Sequence, residues 1–114
     1  MAKHYYTIVA WVSKVVKQTI EEKIKQRRLQ ILVHSFIYYD LNENIISDDK
    51  WSQWAKELVF LQKEFPEISK KVIYYDTFKD FDGSTGFDLD YRNPDIIDKA
   101  YRLLRYHKRG EHND

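Results

Sequence analysis

Two aspartates ahead of a glycine and a hydroxyl, Asp80-Phe81-Asp82-Gly83-Ser84, are the residues of this sequence that look most like reaction chemistry. The D-x-D-G-[ST] order suits an aspartyl nucleophile for phosphate esters, but that chemistry needs its first aspartate at the end of a buried parallel strand. Asp76-Thr77-Phe78-Lys79 is no such strand, and a chain of 114 residues is too short for the fold that goes with it. The stretch is a poor calcium loop as well. Counting from Asp80, Thr85 falls at the sixth position, where glycine is needed, and Tyr91 at the twelfth, where a bidentate glutamate is needed. Lys79 to Gly83 misses the K-x-D-G spacing of a lysine that carries a nucleotide covalently by one residue. What remains is an ordered turn with its glycines at positive φ and Phe81 and Phe87 packed inward, or a cradle of backbone N–H groups for phosphate along Gly83-Ser84-Thr85-Gly86.

His34 has no second histidine or cysteine at ligand spacing and reads as a structural histidine. No metal site is expected. The last stretch interleaves Tyr101, Arg102, Arg105, Tyr106, Lys108 and Arg109, a face suited to phosphate contacts and base stacking. The formal net charge is only +1, however, and no nucleic-acid-binding motif is present, so nucleic acid is not the expected partner. Charge is unevenly spread: basic from Lys14 to Arg28, acidic from Asp76 to Asp95, and basic again from Lys99 to Arg109.

Hydrophobic content of 43% and charged content of 32% place the chain among globular domains. Aromatic residues reach 16%, enough to supply large buried areas or to line a ligand pocket. With no cysteine, neither a disulfide framework nor a thiolate metal site is available. Met1 to Lys17 lacks the pattern of a signal peptide, and no apolar run approaches the roughly 20 residues that span a bilayer. The expected compartment is the cytoplasm, with no membrane contact.

The elements that must position any site read as helices. Tyr5, Ile8, Val9, Val12, Val15 and Val16 share one helical face. Thr19-Ile20-Glu21-Glu22 has the form of a capping box, opening a helix that should run to Tyr39 or Asp40. Its Ile31-Leu32-Val33 segment is apolar on every side and should be buried all round. After a loop at Leu41–Ile46, Ser47 is a good N-cap and Asp48 and Asp49 suit the helix dipole. Trp51, Trp54, Ala55, Leu58 and Val59 then make one stripe on a helix that ends before Pro66. Glu67 to Tyr75 reads as one or two short helices, Asp80 to Asp90 as a loop. Asn93-Pro94 opens a last helix that should end near Gly110.

His34 to Glu67 reads HSFIYYDLNENIISDDKWSQWAKELVFLQKEFPE. This stretch resembles the N-terminal helical segment, subdomain Ia, of bacterial NAD-dependent DNA ligases. In those segments a helix ends in an aromatic pair and a short loop leads to S-D or P-D. The next helix carries a Y-D pair, an E-L and a closing H-P-E. The counterparts here are Tyr38-Tyr39, Ser47-Asp48, Trp51-Ser52, Glu57-Leu58 and Phe65-Pro66-Glu67. The resemblance implies a site for nicotinamide mononucleotide (NMN), the half of NAD that the ligase segment binds. Tyr38, Tyr39 and Trp51 then offer stacking faces, and Asp48 a carboxylate for ribose hydroxyls or the cationic ring. Two positions depart from the family. Trp51 keeps a face but lacks the phenol, and Ser52 stands where the ligases carry an aspartate. The DFDGSTGFDL stretch and the helix after it look like short ligase-related proteins of Gram-positive phages and prophages.

The expected architecture is all-α: one small domain over 1–114, built around an antiparallel hairpin of Thr19–Tyr39 and Ser47–Glu64, with a glycine-containing loop and a C-terminal helix. The expected function is a module that binds NMN or NAD weakly or has lost that binding, with no cofactor required. Since the adenylation, OB-fold and DNA-binding parts of a ligase have no counterpart, it is not expected to be an enzyme by itself. The competing expectation is a phage interaction module that acts on a host replication or defence protein. In that case Tyr38, Tyr39, Trp51 and Trp54 simply close the core of the hairpin.

Overall fold

The computed structural model describes residues 18–112, and the expected helical face from Tyr5 to Val16 lies outside them. The described residues are all-helical, without a strand. Helix α1 (Ile20–Tyr39) starts where the sequence places it: the Thr19 hydroxyl oxygen accepts from the Glu22 amide at 3.1 Å. The reciprocal half of the box differs in detail, because the Glu22 carboxylate takes the Thr19 hydroxyl, at 3.3 Å. Ile31 to Ile37 are buried without interruption. Two helices explain this, since α2 (Asp48–Glu64) and α5 (Pro94–His112) both pack against α1.

Helix α2 is capped by Ser47, which accepts from the Lys50 amide at 3.1 Å, and it buries one stripe, Ala55, Leu58 and Leu61. Arg28 of α1 bonds Gln62 of α2, while His34, further along α1, meets Trp54, earlier in α2. The two chain directions therefore oppose. Ile24, Ile31, Leu32, Leu58, Phe78 and Ile96 are fully inaccessible and make the centre of the core.

The stretch after Phe65, read as one or two short helices, forms two, α3 (Pro66–Lys71) and α4 (Tyr75–Phe78). They are held by Arg28, whose side chain is fully buried. Its guanidinium donates to the carbonyls of Ser69, Val72 and Ile73 and to the Ser69 hydroxyl, at 2.7–3.2 Å, and to Gln62 at 2.9 Å. The guanidinium thus serves carbonyls at and just beyond the C-terminus of α3, where helical partners run out. Burial lowers the guanidinium to about 10, which still leaves it charged at neutral pH.

Asn93 caps α5, accepting from the Ile96 amide at 3.0 Å. Helix α5 passes through Gly110 and reaches His112, close to the end expected near Gly110. Nothing lies within 4 Å of a Cβ placed at Gly110, so this glycine neither packs nor turns the chain. No helix among the described residues is long and apolar enough to cross a membrane.

Candidate functional site

The end of α1, the connecting segment and the start of α2 enclose a cavity of about 250 Å³, and Ser84 and Thr85 close it from the far side. Tyr38, Tyr39, Asp48 and Trp51 all line it, together with Ser52. The spacing explains the convergence. Asp48, Trp51 and Ser52 stand three and four residues apart and share one face of α2. Tyr38 is 53% exposed and Tyr39 37%, so the tyrosine pair does not close the core. Trp51 and Trp54 are half-buried against it.

The rings differ in freedom. Tyr39 stacks on Tyr91 at 6.2 Å, meets the edge of Phe87 at 5.3 Å, and shares a hydrogen bond of 2.9 Å with the Thr85 hydroxyl. Among the described residues the Tyr38 ring meets one other ring, that of Tyr39, at 5.0 Å with the planes nearly perpendicular. The Tyr39 ring is therefore the more firmly held of the two, and the Tyr38 ring the more exposed.

The glycine-containing loop corrects three expectations. Only Gly83 has positive φ, at +85°. Gly86 serves a close approach instead: a Cβ there would collide with the Ser35 hydroxyl and lie 3.1 Å from Ser35 Cβ and 3.3 Å from Trp51 Cζ2. Phe81 packs against Phe78 and Trp51 as expected, but Phe87 is 62% exposed, spent on the edge of Tyr39. Nor is the loop an open phosphate cradle. The Ser84 amide and hydroxyl both donate to Asp82, at 2.9 and 2.6 Å, and the Phe87 amide donates to Thr85 at 3.1 Å. The Ser84 bonds hold the Asp82 carboxyl below its ordinary value.

Sequence reasoning missed His34 and Ser35 as lining residues, along with Glu43, Asn44, Ser84 and Thr85. Helical spacing carried part of that signal, since Ser35 lies three and four residues before the tyrosines and His34 four before Tyr38. His34 is buried against Trp54, ring centroids 5.5 Å apart. Burial pushes its imidazole down to about 4, so the ring is neutral at pH 7. The Ser35 hydroxyl is buried without a hydrogen-bond partner.

Asp48 and Glu43 are the carboxylates of the lining, which holds no lysine or arginine among the described residues. Glu43 pairs with Lys108 at 3.2 Å. Asp40 lies outside the lining and is gripped by Arg92 through two bonds of 2.6 and 2.8 Å, which lower its carboxyl. No group of three His, Cys, Asp or Glu residues that could hold a metal ion occurs among the described residues.

No family model matches the chain, and no solved structure matches it. Curated relatives do match, over part of the chain. The DNA ligase of Bacteroides fragilis is 45% identical over 49 residues, 43% of this chain and 7% of the relative. Those of Petrotoga mobilis and Pseudothermotoga lettingae are 36% and 34% identical over 53 residues, in each case 46% of this chain and 8% of the relative. The chain thus spans less than a tenth of the length of the curated relatives it matches. It carries a helical segment similar to part of bacterial DNA ligases. The expectation that the chain is no enzyme is corrected by this finding, because the proteins it matches are named DNA ligases.

Proposed function

We infer that this chain holds the NMN half of NAD for a ligase-type reaction, in the cavity between α1 and α2. One observation carries the reading. Tyr38, Tyr39, Asp48 and Trp51, the residues that the ligase resemblance singles out, converge from two helices on one cavity. Tyr38, the more exposed of the tyrosine pair, stacks on the nicotinamide ring, and Trp51 supplies the second aromatic wall. Tyr39 sets the depth of the site. Asp48 accepts from ribose hydroxyls or lies against the ring's positive charge. Ser52 offers a hydroxyl where the ligases carry a carboxylate, which weakens the grip. Holding this half of NAD orients the pyrophosphate toward an attacking group, and positioning of that kind is the segment's contribution to nucleotidyl transfer. We place the chain among the small ligase-related phage proteins that its loop and last helix resemble.

Calorimetric titration of NMN and NAD into the protein tests this. Binding in the micromolar to millimolar range is expected, since a few stacking contacts and one carboxylate must offset the cost of immobilising the ligand. Tyr38→Ala abolishes the signal, Ser52→Asp tightens binding, and adenosine monophosphate binds worse than NMN. Folded protein that gives no heat with millimolar NMN would sink the reading.

A further inference from the structure

We propose that the cavity selects a cationic pyridinium nucleoside and leaves its phosphate in solvent, so that nicotinamide riboside is held as firmly as NMN. This rests on the nicotinamide reading above and adds which part of the nucleotide supplies the affinity. The lining carries two carboxylates, Asp48 and Glu43, and no lysine or arginine among the described residues. Phosphate recognition relies on such cations or on free backbone N–H groups.

The lining supplies no such cation among the described residues, and its backbone N–H groups lie beside carboxylates. The N-terminus of α2 points a helix dipole at the cavity, which by itself favours an anion. Its first turn already holds the Asp48 and Asp49 carboxylates, and Ser47 takes the Lys50 amide. A phosphate there meets like charge. In the loop that brings Ser84 and Thr85 to the cavity, the Ser84 amide is committed to Asp82 and the Phe87 amide to Thr85. Lys108 is paired with Glu43, and Arg92 with Asp40.

The same groups suit the rest of the ligand. A ring with a full positive charge gains from the Asp48 carboxylate and from aromatic faces, while the Glu43 carboxylate is partly balanced by Lys108. The Ser84 hydroxyl proton is spent on Asp82, so toward the cavity this oxygen presents acceptor lone pairs, as a carboxamide N–H or a ribose hydroxyl requires. At about 250 Å³ the cavity lies below the roughly 300–1,000 Å³ of ligand pockets and favours a ring and a sugar over a dinucleotide.

The experiment is calorimetry on the full chain with nicotinamide riboside, NMN, nicotinic acid riboside and the reduced, uncharged form of nicotinamide riboside. The dissociation constant for nicotinamide riboside should fall within about threefold of that for NMN, or below it, and the reduced and nicotinic acid ribosides should bind at least about tenfold more weakly. Asp48→Asn and Glu43→Gln should each weaken the cationic riboside more than the reduced one, with circular dichroism to show that both variants fold. NMN binding more than about tenfold tighter than its riboside overturns this proposal and leaves the nicotinamide reading standing. Equal affinity for the reduced riboside overturns the charge selection alone. If neither NMN nor the riboside binds, both readings fall.

Discussion

The hydroxyl groups of Tyr39 and Thr85 lie 2.9 Å apart, and through them the end of α1 is fastened to a loop 46 positions further along the chain. Thr85 also receives the Phe87 amide, so one side chain ties the helix and shapes the loop. Thr85→Val keeps the volume and removes both bonds. It should lower nicotinamide nucleotide affinity several-fold while costing about 1 kcal/mol or less in stability, because the bonds are exposed. Thr85→Ser should keep native affinity. Calorimetry beside urea melts separates the two effects, and native affinity in the valine variant would remove this tie from the site.

Arg28 is the buried group on which α3 depends. Its partners are four oxygens at the end of α3 and one on Gln62, with no carboxylate among them. Arg28→Met fills the volume but takes the donor from the Val72 and Ile73 carbonyls, the Ser69 hydroxyl and Gln62, leaving the Ser69 carbonyl only the Val72 amide, at an expected cost of at least about 3 kcal/mol. Arg28→Lys should recover only part of this, because an ammonium lacks the planar fork that spans separate carbonyls. A loss under about 1 kcal/mol for the methionine variant in urea melts would mean that water takes over the acceptors.

His34 gives stability a dependence on pH. Its imidazole titrates near 6.5 when unfolded, whereas burial holds it neutral down to about 4 in the fold. Between those values the unfolded chain binds the extra proton, so stability falls as pH is lowered from about 6.5 to about 4, by up to about 1.4 kcal/mol per unit. Above that window the contribution is fully present. Asp40 and Asp82, both held low by hydrogen bonds, add losses only at still lower pH. His34→Phe should flatten the slope in urea melts run at a series of pH values; an unchanged slope would assign it elsewhere.

Two glycines should respond to alanine with opposite signs. Gly86→Ala forces a methyl group into Ser35 and Trp51 and should destabilise the fold. Gly110→Ala meets nothing and should stabilise by about 0.5–1 kcal/mol, provided α5 runs through that position. Leu58→Ala, at a fully buried position, should cost about 2–5 kcal/mol. Thermal melts of the three variants check these signs, and a neutral Gly110→Ala would place the helix end earlier.

Helix starts were legible because they depend on local side chains: Thr19, Ser47 and Asn93 each cap the helix expected of them. The stripe through Ala55 and Leu58 was legible for the same reason. Arg28 was not, since its partners are mostly backbone carbonyls that no residue pattern reveals. Gly110 marks the end of α5 only to within a turn, because the chain there stays helical through it to His112. In the candidate site, Tyr38, Asp48 and Trp51 come from one continuous stretch and are named by its resemblance to the ligase segment. Ser84 and Thr85 could not, because their place at the cavity follows from a long loop returning over α1.

That return has a thermodynamic consequence. A pocket with one wall from 34–52 and the other from 84–85 is complete only when distant parts of the chain have met. A fragment holding residues 34–67 alone lacks the far wall. Ligand that binds the closed pocket and not its parts stabilises the assembled chain by mass action, by about 2.7 kcal/mol at a hundred times the dissociation constant. Occupancy of a small site would then be read out as resistance of the whole fold to heat, in a shift of melting temperature that grows with ligand concentration.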